Sequence, residues 1–495
     1  MIPAFSPFLA LRYLMTRRIN LLCIGGVMFA VWAMLLVDSV FTGFVTKIRT
    51  AVRGSAPELL LSDLPHDVSY DRLRPVLEAQ TDLVVATAPR LRHHGVLQSA
   101  RPLRRRSGAT SSTVDFDPTQ QGFALLLGID PDAEVKVSGL RTWIERGPDP
   151  FRRHGNDSVK PSTVLEEPDA ERRRHLLLPD AEEWRLRRTL GLPVDPDPQQ
   201  HRSQWPGVLF GTYRMNDQGA PPGTPFDLTV AGFSGAEPGQ SRLHTDSVRV
   251  VMVGCFLTGH DIFDTGTVLL PIETLRTLLG HDEGDPDSLA LVTDIAIAVP
   301  PGLSPQAIAD GKRRLAALVQ PLLPAGSKPC SVLDWEEQNQ VFLSAVAHEQ
   351  GMMQFVLFVV MLVAAFVIYA TLHMLVTQKI KDIGILAAIG GSPAGIRAVF
   401  LFGGLVVAGI GTVLGIAIGV LSAHNLNAVD RWAYENFGLS LFPPGMFDLS
   451  EIPSRVDPGW IATVGIGAMA LALFVAWLPA QQAARLHPVL ALSHE

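Results

Sequence analysis

Few groupings in this sequence have the residue types and spacing for covalent chemistry. His348-Glu349 opens a zinc-protease pattern, in which two histidines one turn apart hold the metal and the glutamate acts as base. The second histidine is missing, so no metal site follows. No G-x-S-x-G turn offers a serine nucleophile, and no Ser, His and Asp grouping stands out. A glycine-rich phosphate loop is absent, as is any G-x-G-x-x-G that follows a strand and opens a helix. The chain therefore cannot be its own ATPase. His93-His94 lies among Arg90, Arg92, Arg101, Arg104, Arg105 and Arg106; a solvated surface accounts for this stretch better than a ligand or lipid-headgroup site. No catalytic, cofactor-binding or metal residue is assigned, and nothing points to nucleic acid.

The residues that invite a role lie in the loop from Thr377 to Arg397, TQKIKDIGILAAIGGSPAGIR. Lys379, Lys381 and Asp382 stand beside Ile380, Ile383, Leu386, Ala387 and Ile389, a helical spread of apolar positions. Gly390-Gly391 can end that helix, because glycine takes the left-handed conformation at a C-terminus without steric cost. Ser392-Pro393 restarts a helix as N-cap and first residue. From residues alone two accounts are even: a helix that docks on a partner, or an amphipathic turn on lipid headgroups.

Long apolar runs must position this loop. Four of them, about 19–41, 351–376, 394–424 and 459–478, reach the ~20 residues an α-helix needs to cross ~30 Å of hydrocarbon. The first is too long for a secretory signal core, and nothing after Asp38 resembles a cleavage site. Asp38 itself reads as a hydrated boundary residue. Basic residues set the orientation. Arg12, Arg17 and Arg18 precede the first run, and Lys379, Lys381 and Arg397 stand against Asp382 in the 377–397 loop, whereas 425–458 is net acidic. The positive-inside rule places the N-terminus (1–18, an amphipathic lead-in), the 377–393 loop and the 479–495 tail in the cytoplasm. Residues 42–350 then lie outside. Cys23, Cys255 and Cys330 make no disulfide framework; a Cys255–Cys330 bridge is conceivable in an oxidising space but is not the expected state.

The external segment alternates strand and helix signals. A strand from Glu58, a helix from Ser69 to Gln80 and a strand from Asp82 to Val96 form one β-α-β piece. Ala290–Val299, a helix capped by Ser304-Pro305 and a strand at 331–333 form another. Between them Val208–Phe210, Phe226–Phe233 and Val248–Leu257 read as strands, and Gly266–Leu279 as strand then helix. The Pro- and charge-rich stretch 147–204 reads as a surface insertion, partly disordered, with helical character only at Ala181–Leu190. The expected fold is an α-helical integral membrane protein with four transmembrane helices. A large mixed α/β domain is inserted between the first and second.

The loop resembles the coupling helix of the ABC permease family that includes the FtsX, MacB and LolC/LolE proteins, whose pattern is Glu-Ile-Gly/Ala-x-Leu-x-x-x-Gly-Ala. Asp382, Ile383, Gly384, Leu386, Gly390 and Gly391 occupy those positions, with Asp382 for the usual Glu and Ala387 where a basic residue is common. Leu9–Leu14, Thr42-Gly43-Phe44, Val251–Thr274, Ser331–Phe342 and Pro479–Leu492 resemble the lipoprotein-releasing branch; 147–204 has no counterpart. The resemblance implies a non-catalytic subunit paired with a second permease, identical or paralogous, over a cytoplasmic ABC ATPase dimer that binds the ATP and Mg. It further implies that Lys379, Lys381, Asp382, Ile383, Gly384, Leu386, Ala387, Ile389, Gly390 and Gly391 couple to that ATPase. Lipoprotein cargo would pass laterally from the inner membrane, near Val40, Phe41, Phe44, Met352, Met353, Phe355 and Val356, to a periplasmic carrier. A MacB-like exporter of periplasmic cargo and an FtsX-like regulator of a cell-wall hydrolase are the alternatives the same resemblance leaves open.

Overall fold

The computed structural model describes residues 19–65, 68–99, 122–147, 163–166, 168–178, 183–184, 187–188, 205–214, 223–234, 242–280, 291–324, 326–389, 391–438 and 452–485. The expected amphipathic N-terminus, Gly390, most of Ala181–Leu190 and the end of the tail fall outside these residues. In chain order the principal helices are α1 (Ile19–Ser55), α2 (Tyr70–Glu78), α3 (Pro131–Val137), α4 (Leu140–Arg146), α5 (Asp261–Gly266), α6 (Ile272–Leu278), α7 (Pro305–Val319), α8 (Gln340–Gln378), α9 (Ile380–Ala388), α10 (Pro393–His424), α11 (Leu426–Phe437) and α12 (Pro458–Ala484). Contacts divide the chain into two compact units, 1–48 with 341–495, and 49–340.

In the first unit, α1, α8, α10 and α12 are each long and apolar enough to span a membrane, so the chain is a multi-pass membrane protein with four candidate spans. Lipid offers helices no hydrophobic drive to associate, so close packing of small residues must do it. Two stripes supply that packing. Gly411, Gly415 and Gly419 recur one turn apart on α10 and meet Val27, Val31 and Leu35, equally spaced on α1. Ala468, Ala472, Ala476 and Ala480 run down the buried face of α12, and Ala476 lies against Gly404 of α10. A third contact joins α1 to α8, where the Cys23 thiol donates to Thr371 Oγ1 at 2.7 Å. Asp38 departs from its expected hydrated setting: it is buried, with Thr42 Oγ1 donating to its Oδ2 at 3.4 Å and Gln354 of α8 hydrogen-bonded to it.

Among the described residues the second unit is built on nine strands: β1 (Leu59–Ser62), β2 (Ala86–Ser99), β3 (Gly122–Ile129), β4 (Gly207–Gly211), β5 (Pro225–Ser234), β6 (Arg242–Phe256), β7 (Thr267–Pro271), β8 (Asp294–Ala298) and β9 (Ser331–Asp334). The expected β-α-β pieces interleave. β8 pairs antiparallel with both β1 and β2, and β1 pairs with β9, giving the order β9-β1-β8-β2 of a split β-α-β unit. Leu73 and Leu77 of α2 share one core with Leu315 and Val319 of α7 and with Leu59, Ile295 and Ile297 of the sheet. β2 is long enough to continue past β8 and pair with β3 on one side and β5 on the other. The pairings β3–β7–β4–β6–β5 then close a mixed barrel. β3, to which the sequence analysis assigns no element, is the strand that completes it. Part of the 147–204 stretch also departs from the surface reading, because Val164, Leu176 and Leu178 are buried with Leu140, Trp143 and Ile144. Cys255 and Cys330 are both buried, without a disulfide between them.

Two polar features hold this unit, and each makes a prediction. Arg90 of β2 grips Glu134 of α3 through both carboxylate oxygens, Nε to Oε2 at 3.1 Å, with both side chains buried. Removing one partner strands the other charge. Arg90→Ala is expected to destabilise the unit by about 3 kcal/mol, and the paired apolar exchange Arg90→Met with Glu134→Met to be nearly neutral, both read by thermal unfolding of the full chain. Asp264 of α5 is fully buried and accepts from the Thr258 and Gly259 backbone N–H groups and the Thr258 hydroxyl. Burial outweighs these bonds and raises its pKa from 3.8 to about 6. A raised carboxylate pKa contributes stability that is complete below 3.8 and lost as pH rises through about 6. Hydrogen exchange in the 258–264 loop, corrected for its intrinsic pH dependence, should slow on acidification across that window. Asp264→Asn should abolish the change.

Candidate functional site

The chain from α8 to α10 forms a compact two-faced element. The Lys379 N–H bonds back to Leu375 and Val376, so α8 closes at Gln378 and α9 begins at Ile380. Lys379 Nζ reaches Asp382 Oδ2 at 2.6 Å, one turn on, which puts an acid in the first turn of α9 where the helix dipole favours it. At the other end the Gly391 N–H donates to Leu386 O at 2.9 Å, and a Cβ on Gly391 would stand 2.7 Å from that carbonyl oxygen. Ser392 then caps α10, its Oγ accepting from Gly395 N at 3.1 Å, with Pro393 in the first turn.

The inner face of α9 is Ile383 and Gly384, both buried, with Leu386 partly so. Ile383 is 5% exposed and packs with Val376 of α8, Ile396 and Phe400 of α10, and Ala480 and Ala483 of α12. The helix is thus seated on the ends of three membrane helices. Its outer face carries Lys381, Ile385 at 49% exposure and Ile389 at 81%. Arg397, one turn into α10, lies over the Trp477 ring at 5.2 Å. The expected coupling residues therefore separate into two groups. Ile383, Gly384 and Leu386 are seated inward, while Lys381 and Ile389 face outward. Asp382 is half-buried and paired with Lys379; Ala387 lies within α9, and Gly390 is outside the described residues. Ile385 was missed by sequence reasoning. It sits four residues from both Lys381 and Ile389, a helical-face signal that would have found it.

The expected lateral access residues also divide. Met352, Met353, Phe355 and Val356 are exposed on α8, whereas Val40, Phe41 and Phe44 of α1 are partly buried. The Asp38–Gln354 bond joins α1 to α8 beside these two sets, with Asp38 just before Val40 and Gln354 between Met353 and Phe355.

Residues 354–488 match the family FtsX-like permease C-terminal, a stretch that begins in α8 and takes in α9, α10 and α12. The chain is 32% identical over 180 residues to the lipoprotein-releasing system transmembrane protein LolC of Neisseria meningitidis, covering 36% of this chain and 43% of the relative. Over 167 residues it is 30% identical to the protein of the same name from Xylella fastidiosa, 34% of this chain and 40% of the relative. Over 131 residues it is 32% identical to the lipoprotein-releasing system transmembrane protein LolE of Haemophilus influenzae, 26% and 32%. The chain thus spans less than half the length of the curated relatives it matches. Residues 354–488 are thus similar to the FtsX-like permease C-terminal family, in a chain whose described residues hold four apolar helices, a mixed α/β barrel domain between the first and second, and a helix seated between the second and third.

Proposed function

We propose that this chain is the non-catalytic membrane subunit of an ATP-driven ABC device that releases lipoproteins from the inner membrane to a periplasmic carrier. The observation that carries the reading is the two-faced α9, seated on α8, α10 and α12 through Ile383 while presenting Lys381, Ile385 and Ile389. A helix fastened this way moves the span ends when something grips its outer face. Basic residues near the first and second span ends put α9 in the cytoplasm, so the gripping partner is a cytoplasmic ATPase dimer that binds ATP and Mg. Two permease copies or paralogues stand over it, and residues 49–340 lie in the periplasm. Similarity to relatives named for lipoprotein release supplies the cargo class. An outside energy source fits that cargo, because each acyl CH₂ withdrawn from lipid costs ~0.8 kcal/mol. Acyl chains would pass between α1 and α8 beside Phe41, Phe44, Met352 and Phe355.

Depletion tests the cargo. Lipoproteins should accumulate in the inner membrane. Drug or peptide hypersensitivity with normal sorting would instead indicate a MacB-like exporter, and chained or filamentous cells an FtsX-like hydrolase regulator. Normal lipoprotein sorting after complete depletion overturns the proposal.

A further inference from the structure

The helix α11 follows α10 after a single residue, Asn425, and takes no part in the reading above. At 100° per residue, Val429, Trp432, Ala433 and Phe437 share one side of it together with Asn436, whose Nδ2 donates to Trp432 O, and Asn427, Arg431 and Glu435 lie opposite. The apolar side is uncovered: Trp432 is 58% exposed and Phe437 64%, their rings meeting at 5.5 Å. The root of the helix is fixed. Leu426 is buried, and the Asn427 side chain exchanges two hydrogen bonds with the Ile452 backbone, donating at 3.3 Å and accepting at 2.7 Å. Ser454 Oγ donates to Ala423 O, and the Arg455 N–H donates to Ser39 O on α1. This ties α11 to the ends of the membrane helices. Along α10 the exposed residues Val413, Leu414, Ile418 and Leu421 are a lipid-facing surface by composition, and α11 begins one residue beyond the end of that span.

We propose that α11 is an interfacial helix of the outer leaflet, with its Val429–Trp432–Phe437 side in the headgroup–acyl boundary and Arg431 and Glu435 in water. Three observations select lipid as the occupant. The helix is tied to the span ends one residue beyond α10, Trp and Phe are the residues that settle at this depth, and Asp430 and Glu435 outweigh Arg431. The last point means that apolar burial, not attraction to anionic headgroups, holds the helix down. The leaflet rests on the orientation proposed above; the seating in lipid does not.

The test places single nitroxide labels at Val429→Cys, Ala433→Cys, Arg431→Cys and Glu435→Cys in the full chain, in nanodiscs of zwitterionic lipid. The buried native thiols set the background, and Trp432 and Phe437 stay intact. The oxygen-to-nickel accessibility ratio should be several-fold higher at 429 and 433 than at 431 and 435, and unchanged by added salt. Equal, water-like ratios at all four overturn the proposal. So does low oxygen access with dipolar broadening at 429 and 433, which would mean a second copy covers the face. In spheroplasts, Glu435→Cys should react with an impermeant thiol reagent from outside. Reaction only after lysis, with the depth pattern intact, would overturn the leaflet and the orientation together while leaving the seating.

Discussion

Ile389→Asp combined with Ile385→Asp is expected to uncouple the partner ATPase while leaving the membrane unit folded. Both side chains are on the uncovered face of α9, so they add nothing to the packing of Ile383 with Val376, Ile396 and Phe400. In the proposed complex each would fill a groove on the ATPase, where burial of an isoleucine contributes ~1.5–3 kcal/mol. Replacing that contact with a desolvated carboxylate adds a penalty of similar sign. Together the two exchanges should reduce permease-dependent stimulation of ATP hydrolysis by at least about tenfold, since ~1.4 kcal/mol is a factor of ten. Leu386→Asp provides the contrast. Leu386 is partly buried against the same cluster as Ile383, so its loss should lower both coupling and thermal stability. Charge reversal at Lys381 should weaken coupling without loss of stability. The measurements are co-purification of the ATPase in detergent, its stimulated turnover, and the unfolding temperature of the permease. Full stimulation in the Ile385/Ile389 double variant would remove α9 as the transmission element.

The division of α9 into a seated and a presented face also marks how far the sequence could be read. Its helix and the Ser392-Pro393 restart were legible, because a cap acts through local backbone geometry, whereas Gly391 is not left-handed as expected and serves instead by its close approach to Leu386 O. Which isoleucine faces which way was not, since Ile383, Ile385 and Ile389 differ only in what the span ends offer them. The same boundary appears in the barrel domain. Ser304-Pro305 announced α7, and the apolar run after Glu58 announced β1. The insertion of β8 between β1 and β2 was invisible, because that pairing joins strands more than two hundred residues apart. Ser69 shows the converse limit: it stands at the N-cap of α2 but makes no side-chain cap bond. Asp38 was read from composition as hydrated, and only packing could place it in a buried contact with Gln354 of α8.

Transmission of any push on α9 requires that α10 move α1 as a body, and this makes the glycine stripe the most sensitive feature of the membrane unit. A Cβ on Gly415 would lie 2.7 Å from Met28 O and 2.8 Å from Val31 Cβ. On Gly411 it would lie 2.8 Å from Val27 Cβ and 3.0 Å from Ile24 O. Backbone carbonyls are among these neighbours, so the strain cannot be relieved by a side-chain rotamer. α10 must separate from α1 instead. Separation forfeits the dispersion contacts that hold α1 and α10 together in lipid. Overpacking costs ~1–3 kcal/mol per site, so Gly411→Leu with Gly415→Leu should cost about 2–6 kcal/mol, a large part of a typical folding free energy. The double variant should be degraded or aggregate on extraction. Gly411→Ala alone should give a folded permease with lower thermal stability. Gly403→Ala is the control for Gly411→Ala, since nothing lies within 4 Å of a Cβ there and it should leave stability unchanged. An α10 that tolerated both leucines without loss of extraction yield would show that α1 and α10 are not held by this stripe. The route from α9 to the first span would then have to run through α8 and the Cys23–Thr371 contact instead.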